Sequence, residues 1–441
     1  MPAPAPAQPP KPPGYAQALA VPEFRAVFAA HALSLLGVIV SEIALSVLVY
    51  DLTGSPLWSA LTLALGFLPY VIGGTLLAGA ADRFPARTVL VTCDLVCAAC
   101  VLPMAASSAP IGVVLALRCA LAVVSPVFQG TRMATLADIL GDGDLFVLGR
   151  SLLRIVSQSS LLAGYGLGGI LLTVVSPRHA LLITVATFLA SATLLRAGTR
   201  HRPARAQEAP PPTTAPATTS PTPRPLPAAS FQGTRQVLAN PRVRILLLLF
   251  WIPPMFSVVP EALAAPYAAA LGTGSTGLGL LMCALPVGAI AGELYAGARL
   301  RPATRERVAL PLVCLMLLPY LGYACRPGLT ASLLLLLVSG AGSAYTLGLD
   351  QWFVAAVPEE MRGRAMTLLT AGLMTLQGVG MALAGVAAEF TGVTATVAGA
   401  GALGTASCAL LAVAARRIAE PGTAPRTTPD TTHGDRKARR S

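Results

Sequence analysis

Charged residues are scarce in this chain: only 11% of its 441 residues are Asp, Glu, Lys or Arg, whereas 54% are hydrophobic. A soluble domain carries about 25% charged residues. A soluble core of this size cannot bury so much apolar surface, so the excess must face lipid. Aromatic residues are also few, at 5%, and small residues that suit closely packed membrane helices are abundant instead.

The motifs of soluble catalysis are missing as well. The sequence contains no phosphate-binding G-x-x-x-x-G-K-S/T loop and no H-E-x-x-H, and its four histidines are scattered. We therefore expect no enzymatic activity, no cofactor and no metal. Cys93, Cys97 and Cys100 share one helix face by their spacing, and we interpret them as small apolar packing residues rather than metal ligands.

The net charge of +12 does not indicate nucleic-acid binding, because the basic residues form short clusters between apolar runs. That distribution is typical of membrane proteins, whose cytoplasmic loops are rich in Arg and Lys. Nearly all arginines that flank the apolar runs fall on one side of the predicted membrane, and only Arg178 and Arg326 fall on the other. Arg132 is interpreted as a loop residue on the arginine-rich side. We predict a multi-pass plasma-membrane protein with both termini in the cytoplasm.

Twelve apolar segments are each long enough to cross a bilayer, which takes about 20 residues of helix. They predict an all-α membrane protein with spans at residues 25–50, 56–80, 88–108, 110–131, 152–175, 179–196, 244–270, 276–298, 308–325, 328–350, 365–389 and 392–414.

A Pro-, Thr- and Ala-rich linker divides these spans six and six. A short repeat supports the division: Gly74–Ala80 and Gly292–Ala298 match at five of seven positions in the second span of each half. Two pseudo-symmetric six-helix bundles around a central cavity are typical of transporters. The predicted regions are a disordered tail, a first bundle, a cytoplasmic linker, a second bundle and a disordered basic tail, at residues 1–23, 24–196, 197–243, 244–415 and 416–441.

The loop after the second span carries a recognisable signature. Residues 74–87 read G-x-x-x-A-G-A-A-D-R-x-x-x-R, with Asp82, Arg83 and Arg87 at its charged positions. This pattern resembles the loop signature of the major facilitator superfamily of transporters. The usual Gly between the two arginine positions is absent here, and Pro85 offers a rigid turn in its place.

Further segments follow the order of that superfamily over roughly residues 24–415. Residues 52–56 (L-T-G-S-P) and 358–364 (P-E-E-M-R-G-R) resemble the branch that contains enterobactin and macrolide exporters. Residues 164–169 (G-Y-G-L-G-G) resemble the antiporter signature G-P-x-x-G-G, with Tyr165 in place of Pro.

The resemblance implies a monomeric transporter that works by alternating access. We expect proton-coupled efflux of a small, fairly apolar molecule such as a drug or secondary metabolite, with protons and the lipid bilayer as further partners. Import of a nutrient or metabolite is the first alternative. A polytopic membrane enzyme is less favoured, because no catalytic cluster is visible at a membrane face. A non-transporting membrane sensor is also less favoured, and it would tolerate loss of Glu42 and Arg118.

Charges within the spans are the sharpest pointers to function, because each is costly unless it is paired or hydrated. Glu42 and Arg118 lie at similar predicted depths, and in the superfamily fold the first and fourth helices line the central cavity. We predict that the two are neighbours and that Glu42 exchanges a proton as the cavity opens alternately, with a structural ion pair as the alternative. Glu261 follows Pro260, where a kink is expected. It is predicted either to face the cavity or to cap a helix near its mouth.

A second predicted group would hold the cytoplasmic side closed through charge pairs, for example Asp82 with Arg364. The alternative is a solvated charged loop. The predicted members of this gating network are Asp82, Arg83, Arg87, Asp138, Arg362 and Arg364.

Other polar or aromatic residues within the spans either line the cavity or hold helices together. For His31 we favour a hydrogen-bonded packing role over a proton relay, and Asp94 is expected to be structural. The tentative cavity residues are His31, Gln158, Trp251, Tyr345 and Gln377.

Overall fold

The structure, a computed structural model, describes residues 15–70, 84–141, 144–202, 238–357 and 362–419. Every regular element in these ranges is a helix. The first half of the described chain, residues 15–202, contains α1 (Tyr15–Ala20), α2 (Pro22–Thr53), α3 (Pro56–Ala64), α4 (Ala86–Met104), α5 (Ile111–Leu140), α6 (Asp144–Val174) and α7 (Pro177–Gly198).

The second half, residues 238–419, contains nine further α-helices and two short 3₁₀ helices. The α-helices are α8 (Pro241–Ser257), α9 (Val259–Ala262), α10 (Ala264–Ala270), α11 (Gly274–Arg299), α12 (Pro302–Leu315), α13 (Leu329–Ala341), α14 (Tyr345–Ala356), α15 (Arg362–Thr391) and α16 (Val393–Ala419). The 3₁₀ helices are Leu318–Cys325 and Gly342–Ala344.

Eleven candidate membrane spans lie within the described residues, which confirms the predicted all-α membrane protein. The second predicted span, 56–80, is described only as far as residue 70. Most of both predicted tails, most of the linker and the Gly74–Ala80 copy of the repeat lie outside the described residues. Residues 15–23 of the first predicted tail are described, and they form α1 and the start of α2 instead of a disordered segment.

Helix α5 continues to Leu140, well beyond the predicted end of the fourth span at residue 131. The interpretation of Arg132 as a loop residue is wrong: it lies within the helix and is only 6% exposed. A hydropathy pattern ends at a charge, whereas the helix continues because this charge finds partners inside the bundle.

The seventh span is broken close to Pro260, in agreement with the kink predicted there. Helix α8 ends at Ser257, and the chain continues through the short helices α9 and α10. The Tyr320 hydroxyl donates a hydrogen bond to the Ser257 carbonyl at 3.0 Å. The break therefore does not leave this carbonyl unsatisfied, and it positions Glu261 within the short helix α9.

The helices of each half pack mainly on one another, and the halves meet chiefly along two helix pairs. Helix α3 packs along α15, and α6 packs along α11. We call the membrane face where α2 begins and α16 ends the terminal face, and the other the distal face.

The two halves are in close contact on the distal side. Ser55, in the turn between α2 and α3, donates a hydrogen bond to Glu389 Oε2 near the end of α15, at 2.9 Å. Where α6 crosses α11, a Cβ atom on Gly169 would lie only 2.6 Å from the Gly279 Cα. Backbone contact this close requires glycine on both helices, so the crossing depends on both residues.

Candidate functional site

Glu42 in α2 and Arg118 in α5 form an ion pair inside the first half. Arg118 Nη2 donates to Glu42 Oε1 at 2.5 Å, and the side chains of Arg118 and Glu42 are 5% and 19% exposed. They are neighbours, as predicted, whereas their part in proton coupling stays a prediction. Arg118 Nε has no hydrogen-bond partner among the described residues, so the guanidinium group keeps one buried N–H donor that is not in use.

Gly66 makes room for the Arg118 side chain. It lies in the turn that follows α3, where its amide donates to the Leu63 carbonyl at 2.8 Å. A Cβ atom at this position would overlap the Arg118 guanidinium group. No sequence pattern indicated this role, because a glycine near the middle of an apolar segment has many possible explanations.

Tyr165 and Glu261 join the two halves. The Tyr165 hydroxyl on α6 donates to Glu261 Oε1 on α9 at 2.5 Å. Tyr165 is 5% exposed, so this contact is shielded from water. Tyr165 is the residue that departs from the antiporter signature. Its hydroxyl donates a hydrogen bond to a carboxylate of the other half, which the Pro of the signature could not do.

Together Glu42, Arg118, Tyr165 and Glu261 form what we call the central cluster. Glu42 is near enough to both Tyr165 and Glu261 to interact with them electrostatically. At a 1.5 Å rise per residue, the four residues lie between about 10 and 17 Å from the distal face. The cluster is therefore a buried polar layer that extends from the first half to the second.

A cavity of about 110 Å³ adjoins this layer within the first half. Glu42, Arg118 and Gly66 line it, and so do Ser34 and Asp94, which lie closer to the terminal face. The cavity thus connects the central cluster to a second set of buried polar groups.

His31 and Arg132 belong to that second set. Arg132 Nη1 donates to His31 Nδ1 at 2.5 Å, and His31 Nε2 lies 3.0 Å from Ser157 Oγ. Because an arginine can only donate, His31 must accept through Nδ1 and carry its hydrogen on Nε2. A doubly protonated His31 would lose this acceptor, so the contact favours the hydrogen-bonded packing role over the relay. Arg132 also lies over the Phe128 ring, 5.3 Å from its centroid.

Asp94 is the second buried acceptor in the first half. It is 1% exposed, and its two carboxylate oxygens accept hydrogen bonds from Ser34 Oγ at 3.2 Å and Ser191 Oγ at 2.5 Å. It also interacts electrostatically with Arg132. Helices α2, α4 and α7 meet at this carboxylate, which agrees with the structural role expected for it.

The remaining tentative cavity residues are dispersed. Tyr345 is 1% exposed, and its hydroxyl donates to the Leu249 carbonyl at 3.4 Å, a contact that joins two helices of the second half. Trp251 is half-buried, and its indole nitrogen donates to the Leu369 carbonyl at 2.9 Å. Gln158 is exposed and Gln377 is half-buried.

The predicted gating network lies largely outside the described residues. This applies to Asp82 and Arg83 and to the side chains of Arg362 and Arg364, while Arg87 is half-buried and Asp138 is exposed.

On the same terminal face, the sequence reasoning missed a contact of Glu23. Its carboxylate accepts two hydrogen bonds from Arg202, at 2.6 and 2.9 Å, and raises the pKa of that guanidinium group. The pair fastens the start of α2 to the segment that follows α7.

Known proteins support the architecture described above. The model of the Major Facilitator Superfamily matches residues 27–261, which is more than half of the chain. None of the curated proteins compared with the chain matches it.

Solved structures share the fold at low sequence identity. The nucleoside transporter NupG, solved as a mutant, has a TM-score of 0.65 and 16% identity, with 90% of this chain and 100% of that chain covered. A POT family transporter in complex with 5-aminolevulinic acid has a TM-score of 0.67 and 10% identity, with 90% and 96% covered. A bacterial homologue of the iron transporter ferroportin, in an inward-facing state, has a TM-score of 0.61 and 16% identity, with 88% and 98% covered. The chain belongs to the Major Facilitator Superfamily and is a multi-pass membrane transporter.

Proposed function

We propose that this transporter couples proton movement to the export of a small, fairly apolar molecule, such as a drug or secondary metabolite, by alternating access. In this proposal it is a monomer in the plasma membrane, with its terminal face in the cytoplasm. The observation that carries the proposal is the Tyr165–Glu261 hydrogen bond between the halves, next to the Glu42–Arg118 ion pair.

The location of this bond links it to alternating access. Opening of the distal side must separate α6 from the second half, and the Tyr165–Glu261 bond then breaks. Glu261 loses its donor and gains water at the same moment, which is the condition under which a carboxylate can exchange a proton.

The charges of the central cluster make a proton a suitable partner. The cluster contains one arginine, Arg118, and two carboxylates, Glu42 and Glu261. Arg118 is already paired with Glu42 at 2.5 Å. A proton is therefore the natural counter-charge for Glu261, and a cationic substrate would compete with it.

An apolar substrate is supported by the half-buried aromatic ring of Trp251 in α8 of the second half. Trp251 already donates its only N–H to a backbone carbonyl, so its ring has only apolar surface left to offer a ligand. The resemblance of residues 52–56 and 358–364 to the exporter branch favours efflux over uptake.

Everted membrane vesicles with an imposed pH gradient and a pH-sensitive dye test this proposal. We expect at least one compound from a panel of lipophilic drugs, sugars and siderophores to trigger proton release in vesicles that contain the wild-type protein. Glu261→Gln and Glu42→Gln should abolish the response. Asp51→Asn, which changes an exposed carboxylate near the distal end of α2, is the matched control and should respond like the wild type.

The alternatives predict different results in the same experiment. An importer would show compound-triggered proton movement only when the substrate gradient across the vesicle membrane is reversed. A non-transporting sensor would show no compound-dependent proton flux, and its signalling would tolerate loss of Glu42 and Arg118. Full activity of Glu261→Gln would contradict the assigned role of the Tyr165–Glu261 bond.

A further inference from the structure

A second cavity, of about 390 Å³, lies inside the second half at its terminal face. Its rim carries Arg242 from the start of α8, Arg307 from the first turns of α12 and Arg416 from the last turn of α16. Glu306 and Trp352 complete the polar part of the lining. With one carboxylate against three guanidinium groups, the rim has a net positive charge.

The three guanidinium groups are available for a ligand. Within the described part of the chain, neither of the two ion pairs involves Arg242, Arg307 or Arg416. The deeper wall is apolar and includes Leu246 and Leu310, which are 4% and 8% exposed. The cavity thus combines a cationic entrance with an apolar interior.

We propose that this cavity binds an anionic phospholipid, with the phosphate at the three arginines and an acyl chain along the apolar wall. The arginines lie at the ends of candidate membrane spans, which is the depth of the lipid headgroups. Basic pockets between membrane helices are suited to anionic headgroups, and Trp is favoured at the same depth. A free phosphate ion would satisfy the arginines but would leave the apolar wall in water.

This lipid site is separate from the transport route. All of its lining residues belong to α8, α12, α14 and α16, which are helices of one half. The central cluster instead extends from the first half to the second, about 10 to 17 Å from the distal face. The proposal therefore does not rest on the substrate, direction or proton coupling proposed above.

Native mass spectrometry of the purified, delipidated full-length protein tests the proposal. Dioleoyl phosphatidylglycerol is titrated against the wild type, with dioleoyl phosphatidylcholine as the zwitterionic comparison. The pocket variant is Arg242→Gln/Arg307→Gln/Arg416→Gln. The control variant is Arg244→Gln/Arg301→Gln/Arg417→Gln, which removes the same charge from neighbouring exposed arginines of the same face.

We expect the wild type and the control variant to prefer phosphatidylglycerol. A loss of about fivefold in affinity per arginine predicts binding about 100-fold weaker in the pocket variant. Lysine at the same three positions should restore most of the affinity, since it keeps the charge. That rescue separates loss of the site from loss of folding, which gel filtration of each variant checks independently.

Three results would overturn the proposal. Equal weakening in the pocket and control variants would mean that the whole basic surface attracts the lipid. Equal binding of the two lipids would exclude a site for anionic headgroups. Displacement of the lipid by inorganic phosphate at millimolar concentration would identify a free phosphate ion as the ligand.

Discussion

At the scale of single residues, α5 carries two buried arginines at different depths. Arg118 and Arg132 are about four helical turns apart, which brings them to nearly the same side of the helix. Helix α2 faces both of them and supplies a partner at each level, Glu42 for the first and His31 for the second. The contact between these two helices is therefore held by charge and hydrogen bonds at two levels, and residues that shape either level should be sensitive to change.

Gly66→Ala should disrupt the Glu42–Arg118 ion pair without replacing either charged residue. The added methyl group would displace the Arg118 guanidinium group and leave Glu42 without its partner. Breaking a buried ion pair costs about 3–5 kcal/mol. We expect transport to fall at least tenfold and the midpoint of thermal unfolding in detergent to drop. Gly112→Ala is the control, since nothing lies within 4 Å of a Cβ there. Normal transport by Gly66→Ala would show that Arg118 can move freely.

Asp94→Ala should destabilise the protein by disturbing the buried polar groups around Arg132. The change removes the acceptor of two buried serine hydroxyls and a negative charge near Arg132. A loss of about 3 kcal/mol is expected, since the remaining groups stay buried without compensation. Thermal unfolding of the purified protein measures it. Asp51→Ala, at an exposed site of α2, should unfold like the wild type, and equal midpoints for the two variants would contradict a structural role for Asp94.

At the scale of elements, the glycine-rich segment of α6 packs in two directions. A Cβ on Gly164 would lie 2.6 Å from Ile39, and one on Gly168 would lie 2.9 Å from Ile43, so these two glycines admit α2 of the same half. Gly169 admits α11 of the other half instead. One short segment therefore sets both the packing within the first half and its approach to the second.

A disulfide should be able to lock the crossing of α6 and α11. A Cβ on Gly166 would lie 3.6 Å from the native Cys283 Sγ, within reach of disulfide geometry. On oxidation, the thiol introduced by Gly166→Cys should form a disulfide with Cys283, detected by mass spectrometry of an unreduced digest. This bond should stop transport until a reductant is added. Gly130→Cys, at an open helix surface, should form no such bond. Undiminished transport with the disulfide intact would mean that the two helices do not separate during the cycle.

Sequence patterns predicted which elements exist more successfully than where they end. Long apolar runs identified the spans, and Pro260 indicated the break in the seventh, because lipid and proline impose local constraints. The end of α5 was missed because the partners of Arg132 come from residues distant in sequence. The same applies to the site: similar depth predicted the Glu42–Arg118 pair, whereas the Tyr165–Glu261 contact depends on how two halves meet, which no local pattern encodes.

At the scale of the whole molecule, the contacts between the halves differ in their surroundings. The Tyr165–Glu261 bond is largely shielded, with Tyr165 only 5% exposed, whereas the Ser55–Glu389 bond is exposed to solvent. A hydrogen bond to a charged acceptor contributes about 1.5–3 kcal/mol when it is shielded, and water competes for an exposed one. The balance between distal-closed and distal-open states should therefore depend mainly on the buried contact.

Tyr165→Phe should shift this balance towards the distal-open state by a factor of roughly 10 to 100, which corresponds to the loss of one such bond. Ser55→Ala should shift it less than about fivefold. Distances between spin labels on the distal ends of α6 and α11, measured by electron paramagnetic resonance, report the two populations. A larger effect of Ser55→Ala would reverse the assigned order of the two contacts.

The pairing within the central cluster also has an electrical consequence. Because Arg118 neutralises Glu42, the cluster keeps one net negative charge when Glu261 is ionised and none when it is protonated. Under the proposed exchange of a neutral molecule for a proton, each cycle would carry one charge through the membrane field. A potential of 100 mV contributes about 2.3 kcal/mol to such a step, so the voltage across the membrane, and not only the pH difference, would set how steeply this protein can concentrate what it carries.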